Sequence, residues 1–378
     1  MIKGKRKRIF HSLMMLHNVA QNDKEYLGGA SFDEENYESG IYRKPTDQKN
    51  VFDYFFVKTN EKVDQDTYER IRKLRIPPIW NKVWVSGDPS SKIQAIGIDK
   101  KNIKQYLYHQ DHIKNASEEK FVRVYGFIKA LPKLEKKMDK DRVIENYYDK
   151  KKIIVTILDI IKKLHIRVGK EVYAQRNNSY GVSSLRKKHV KLKNGVMTFK
   201  FKAKSNKVVS YTLKDEKIIN HIVELMKLSP EGPEGDDEKV FKYKSEADNI
   251  VGITSTDINK YIQKNMGKEF TVKDFRSYAA NYHFIKSLLK ETKKRSPKNN
   301  KVIKKNIKEA ILGTAFHLRH TPSISKKSYV LNFAIELYQE NPAYFVDASK
   351  GVISSNLINS LILDLLTMYA EKCGKKVA

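Results

Sequence analysis

The sequence predicts an α+β protein. A small β-rich N-terminal domain precedes a larger, mostly α domain that contains a three-stranded antiparallel sheet. Residues 52–109 hold short β-rich runs punctuated by turn residues. Beyond about residue 112, apolar residues recur at helical spacing instead. One β excursion, built around Asn194-Gly195, interrupts the helices. A chain of 378 residues is long enough for two domains with their own cores. The boundary is placed between 112 and 113, and residues 1–45 read as an extension without a clean period.

In chain order, KVWVSG (82–87), KIQAIGID (92–99) and KQYLYH (104–109) read as strands, and Gly87-Asp88-Pro89 as a turn. A helix among them is expected to take Asp66 as its N-cap, to line up Tyr68, Ile71 and Leu74, and to end at Pro77-Pro78. Helices follow over 119–131, 141–164 and 216–228. Between the last two, HVKL (189–192), VMTFKFKAK (196–204) and KVVSYTL (207–213) form the sheet, with turns at Asn194-Gly195 and Ser205-Asn206. The remainder is expected as helices 255–266, 271–290, 299–318, 325–340 and 353–372, with 229–239 a solvated loop. The basic run 290–305 has two readings, a solvated linker or a segment that contacts phosphates.

Lys and Arg number 74 against 44 Asp and Glu, a formal net charge of +30. That charge calls for a polyanionic partner, and the 40% apolar content excludes a disordered basic tail. The single Cys373 excludes an intrachain disulfide and points to a reducing compartment. No CxxC or HExxH spacing supports a metal site, and no apolar run is suited to a signal peptide or a membrane span. Arg is used sparingly beside 60 Lys, so an Arg next to other reactive side chains is worth inspecting.

Five such positions stand out: Arg167 in RVGKEVY, Lys204 in FKAKSN, Arg276 in KDFRSY, and His320 with Tyr329 in HTPSISKKSY. Their order, and the nine-residue step from His320 to Tyr329, resembles the catalytic set of the type IB DNA topoisomerases, most closely the compact poxvirus-like branch. NNSYGVSSLR (177–186) and IQAIGIDKKNIKQYLYH (93–109) extend the resemblance over roughly residues 50–345. It implies that family's catalytic fold, shared with tyrosine recombinases, and a covalent 3′-phosphotyrosyl intermediate. Supercoiled duplex DNA would be relaxed without ATP, metal or other cofactor.

The chemistry is coherent residue by residue. Two guanidiniums hold phosphate oxygens and stabilise the charge that grows on them. His320 would donate to a non-bridging oxygen, and Lys204 would protonate the departing 5′ oxygen. A phenol titrates near about 10, so a tyrosine nucleophile needs cationic surroundings. No GxxxxGK[ST] loop is present, in keeping with an ATP-independent reaction.

The resemblance further implies Tyr106, Tyr108 and Tyr173 as DNA contacts, and places Lys273, as an auxiliary proton-handling lysine, and Asn281, as a supporting polar group, beside Arg276 at the DNA site. Ile103 stands where relatives often carry a basic residue, which bears on target preference, and Ala203 replaces a common glycine. His317 reads as a helix-face residue. The resemblance implies double-stranded DNA as the partner, clamped by a monomer. The poxvirus-like features suggest a virion or a cytoplasmic viral replication site, with the nucleus as the alternative. Two rivals are a tyrosine recombinase and a non-catalytic basic DNA-binding protein. KDFR in place of HxLR, the β-rich first domain and the complete five-residue set favour the topoisomerase.

Overall fold

The computed structural model describes residues 38–100 and 102–372. Most of the expected 1–45 extension and Cys373 lie outside the described residues. The chain divides into two compact units at Ala116–Ser117.

In the first unit, β1 (Ile41–Pro45), β2 (Phe52–Phe56), β3 (Asn81–Val85), β4 (Ile93–Ile98) and β5 (Lys104–Tyr108) form one antiparallel sheet in the order β2-β1-β3-β4-β5. The end of the expected extension is therefore a strand inside the sheet, and Ile41 is fully buried there. Ile41, Tyr54, Val63, Ile71, Val83, Val85 and Ala95 make the core. Helix α1 (Gln65–Lys73) contributes Ile71 to it. Its N-cap is Asp64 rather than the expected Asp66, because the Asp64 carboxylate accepts from both the Thr67 amide and its hydroxyl, at 2.7 and 3.0 Å. The helix also stops before the prolines, where Arg75 takes the left-handed region at φ 51°.

The second unit holds most of α2 (Gln110–Arg142), then α3 (Lys150–Leu164) and α4 (Glu171–Asn177). Pro132 does not end α2 at 131 as expected, because packing beyond it holds the helix. Leu134 and Met138 are fully buried, and Asp141 accepts from Lys137 and Tyr261. The break comes after Arg142 instead, and Asp149 starts α3 by capping the Lys151 and Lys152 amides. Every residue from Ile153 to Ile161 is buried, so α3 is the hub of the main core.

Next come β6 (Val190–Lys193), β7 (Val196–Ala203) and β8 (Lys207–Leu213), paired antiparallel in sequence order. The Asn194-Gly195 turn has both φ values positive, 49° and 70°, as a two-residue hairpin requires. Along β7, Met197, Phe199, Phe201 and Ala203 face the core, while Lys200 and Lys202 face out. After α5 (Glu216–Met226), the expected loop contains a helical turn, α6 (Pro233–Asp236). That loop is tied back, since Glu238 accepts from the Lys187 amide and from Lys242. A two-stranded ladder, β9 (Lys242–Lys244) with β10 (Ile250–Gly252), leads to α7 (Ser255–Met266).

Helices α8 (Val272–Lys294) and α9 (Asn300–Leu318) run antiparallel, with His283 meeting His317 near one end and Arg295 meeting Asn306 near the other. The basic run 290–305 is thus mostly helical, with only 295–299 connecting the two. The expected helix 325–340 is two helices, α10 (Pro322–Ser328) and α11 (Asn332–Glu340), with Tyr329 on the joint. Helices α12 (Pro342–Lys350) and α13 (Ser355–Lys372) complete a second core around Phe284, Leu288, Tyr338 and Leu365. No helix among the described residues is long and apolar enough to cross a membrane.

Candidate active site

Arg167 sits half-buried on the segment that follows α3. The helix ends at His165, which adopts φ 54° and caps Ile161, and Ile166 then anchors the segment in the core. Residues 181–184 support it from behind: Val182 donates to the Arg167 carbonyl at 2.9 Å and Ser183 to the Val168 carbonyl at 2.8 Å. This contact explains the glycine at 181, since a Cβ there would lie 2.4 Å from the Arg167 carbonyl oxygen. Part of the NNSYGVSSLR block therefore acts as the prop for Arg167.

Arg276 projects from the second turn of α8 and is buried. One Nη donates to the carbonyl of His165, the other to the carbonyl of Leu318 at 2.8 Å. A single guanidinium thereby joins the C-terminal ends of α3 and α9, where helix carbonyls lack intrahelical partners. Burial lowers its pKa, and so does the neighbouring Arg167 charge, while Tyr329 acts the other way through a hydrogen bond.

His320 follows the αL residue Arg319 that closes α9. Its Nε2 lies 2.8 Å from the hydroxyl of the fully buried Ser325, and its ring stands 4.9 Å from that of Tyr329. Burial lowers its pKa to about 4, with Arg276 and Arg167 adding to the effect. At neutral pH the imidazole is uncharged and carries one N–H. Among the described residues, His320 Nδ1 and Arg276 Nε are two of the four buried side-chain nitrogen or oxygen atoms without a hydrogen-bond partner.

Tyr329 is half-buried at the end of α10, where its amide still bonds to the Ser325 carbonyl. Its carbonyl turns to Asn281, whose Nδ2 donates to it at 3.1 Å while its Oδ1 accepts from the Leu331 amide at 2.9 Å. The same Nδ2 donates to Ser277 at 2.9 Å. Asn281, expected at the DNA site, is 3% exposed, and its side-chain amide is engaged by backbone groups beneath Tyr329.

The structure thus brings together Arg167, Arg276, His320 and Tyr329. Lys204 stands exposed at the β7–β8 tip and makes no hydrogen bond or ion pair with them. Ala203 has φ −100°, so no glycine is required before it. Lys273 is exposed in the first turn of α8, and Tyr173 is half-buried on α4. In the first unit, Tyr106 and Tyr108 project from the same side of β5 with rings 6.1 Å apart.

Sequence reasoning missed several neighbours. Ser325 is one, although SKKSY places it four residues before the tyrosine. Tyr211 on β8 is another: it is buried, its pKa is raised by burial, and Arg276, Arg167 and Arg319 oppose that rise. His317 stacks on His283 at 4.0 Å, and His283 meets His165 through their Nε2 atoms at 2.7 Å. This histidine row lies behind Arg276, since His165 supplies its carbonyl to that guanidinium.

The family model of the eukaryotic DNA topoisomerase I catalytic core matches residues 102–345, and that of the bacterial DNA topoisomerase IB N-terminal domain matches residues 51–99. The chain belongs to the type IB DNA topoisomerase family. It is 50% identical over 321 residues to DNA topoisomerase 1B of Acanthamoeba polyphaga mimivirus, covering 84% of this chain and 93% of the relative. It is 26% identical over 287 residues to DNA topoisomerase 1B of Vaccinia virus (strain Copenhagen), covering 73% and 83%. A DNA topoisomerase 1 of Rabbit fibroma virus (strain Kasza) is 25% identical over 309 residues, covering 80% and 90%.

Proposed function

We propose that Tyr329 is the nucleophile of the type IB reaction and that Arg167, Arg276, His320 and Lys204 act on the scissile phosphate. The observation that carries this is the meeting of two guanidiniums, an uncharged imidazole and a phenol within one partly buried cluster. The Tyr329 oxygen forms a bond to phosphorus as it gives its proton to solvent water, and the bond from phosphorus to the 5′ oxygen breaks. Arg167 and Arg276 bind the non-bridging oxygens on which charge accumulates. His320 offers one N–H to the same oxygens. Lys204, on its hairpin tip, protonates the departing 5′ oxygen. One phosphodiester replaces another, so the reverse step reseals the strand after the free 5′ end has rotated.

Tyr329 is held for this attack by its backbone, through Asn281 and Ser325. Tyr106, Tyr108, Tyr173 and Lys273 contact DNA outside the reacting phosphate, and Asn281 positions the nucleophile. The enzyme works as a monomer on double-stranded DNA. The viral relatives support a place of action where viral DNA is packaged or copied.

The test is relaxation of supercoiled plasmid with EDTA present and ATP absent. Wild type is expected to relax the plasmid, while Tyr329→Phe binds DNA with unchanged affinity and neither relaxes it nor becomes covalently attached. Covalent attachment by Tyr329→Phe would overturn the assignment.

A further inference from the structure

The outward face of α9 is not absorbed by the reaction. Lys301, Lys304, Lys305 and Lys308 are all exposed, and their spacing of three and four residues puts them on one stripe opposite the buried Ile303, Asn306, Ile307 and Ala310. Lysines elsewhere in the second unit often meet a carboxylate, as in Lys137–Asp141, Lys162–Glu135, Lys163–Asp215 and Lys350–Asp347. Among the described residues, none of the four on α9 forms an ion pair.

The stripe also begins at the wrong end of its helix for stability. The first turn of α9 contains no acidic residue, so Lys301 adds positive charge to the positive end of the helix dipole. Like charges three and four residues apart repel as well. A polyanion would relieve both effects. The same face continues through Leu312, 39% exposed, and Phe316, 65% exposed, towards His320. By helix rise, the lysines span about 10 Å, and Lys308 lies about 12 Å from Phe316.

We propose that Lys301, Lys304, Lys305 and Lys308 form a duplex-phosphate binding stripe separate from the site at Tyr329. It holds the flank of the duplex being cleaved, because the same face runs on along α9 towards His320. The proposal rests on the type IB reading, because that reading makes duplex DNA the substrate. The stripe carries no chemistry. It supplies affinity and strong salt dependence.

The test uses the full-length quadruple variant K301Q/K304Q/K305Q/K308Q. Glutamine suits an exposed helix, so thermal stability should be unchanged or slightly raised. Single-turnover cleavage of a minimal duplex covering only the cleavage site should stay within about twofold of wild type. On a long duplex, the slope of log affinity against log salt should shrink by about 3 to 4, near 0.9 for each phosphate contact. If the slope is unchanged and the covalent complex on the minimal duplex loses its capture of a second, labelled duplex, the stripe belongs to a crossing segment instead. A wild-type slope on the long duplex overturns the proposal in either case. So does loss of minimal-duplex cleavage by a folded variant, because the stripe would then belong to the cleavage site. Failure of wild type to cleave the minimal duplex at all is a different result, and it would count against the enzymatic reading beneath the proposal.

Discussion

Asn281 offers the sharpest test of how Tyr329, the proposed nucleophile, is held. Its amide donates to the Tyr329 carbonyl at 3.1 Å and to Ser277 at 2.9 Å, and it accepts from Leu331 at 2.9 Å. Asn281→Ala removes all three bonds at a position 3% exposed. A buried hydrogen bond contributes about 0.5–1.5 kcal/mol net, so the expected loss of stability is about 2–4 kcal/mol. The kinetic effect comes from loosening the joint between α10 and α11. A displacement of about 1 Å in a reacting group costs about a hundredfold in rate. The assay is single-turnover cleavage of a duplex whose product strand dissociates, together with DNA affinity measured in a Tyr329→Phe background. Positioning predicts a cleavage rate down about a hundredfold with affinity unchanged. Asn281→Asp should not rescue, since it keeps the acceptor for Leu331 but turns oxygen towards the Tyr329 and Ser277 carbonyls. A cleavage rate within about twofold of wild type would refute the reasoning. So would an affinity loss large enough to explain the rate, which would make Asn281 a DNA contact.

Three further outcomes are expected. Ser325→Ala should slow cleavage about five- to tenfold, the value of one hydrogen bond to His320. Combined with His320→Ala it should add almost nothing; full additivity in the double mutant would separate the two residues. Arg276→Lys should abolish cleavage and lower the melting temperature, because one ammonium cannot span the His165 and Leu318 carbonyls and also reach Tyr329. Near-normal cleavage by that variant would remove Arg276 from the phosphate site. Burial lowers the pKa values of His165, His189 and His320 to about 4 and that of His283 to about 3, against an ordinary 6.5. With the folded values lower, the unfolded chain binds more protons between those limits and about pH 6.5, so stability falls as pH drops through that window. Denaturant titrations at about pH 7 and about pH 5 should show it, and equal stabilities at the two would contradict the burial of these rings.

The parts of the site that local sequence announces are those whose geometry is local. The Asn194-Gly195 turn needs two residues with positive φ, and its sequence supplies them. The joint at Tyr329 is different. Ser325, Val330, Leu331, Ala334 and Tyr338 are all buried, so the apolar pattern runs straight across 325–340 and reads as one helix. The break is stabilised by Asn281 on α8, which takes the Tyr329 carbonyl and the Leu331 amide. No window of neighbouring residues contains that information. Asp64 in place of Asp66, and the passage of α2 through Pro132, are smaller cases of the same rule: a specific side-chain bond or distant packing outweighs a local preference.

The same distinction explains why Arg276 was legible as a residue but not as a structure. Its place among reactive residue types marked it, whereas its environment depends on two helix ends far apart in sequence. Helices α3 and α9 both finish at this guanidinium, each presenting a carbonyl with no intrahelical partner. Those carbonyls make burial of the cation tolerable, and they also fix its plane. The residues that follow the two helix ends are Arg167 and His320, each leaving its helix through an αL residue, His165 or Arg319. Holding Arg276 therefore places Arg167 and His320 as well. Tyr329 joins them through α10, whose Ser325 meets the His320 ring and whose last turn accepts the Tyr329 amide. One buried cation thus sets the geometry of the whole cluster, which is why the geometry could not be read from the chemistry of its members one at a time.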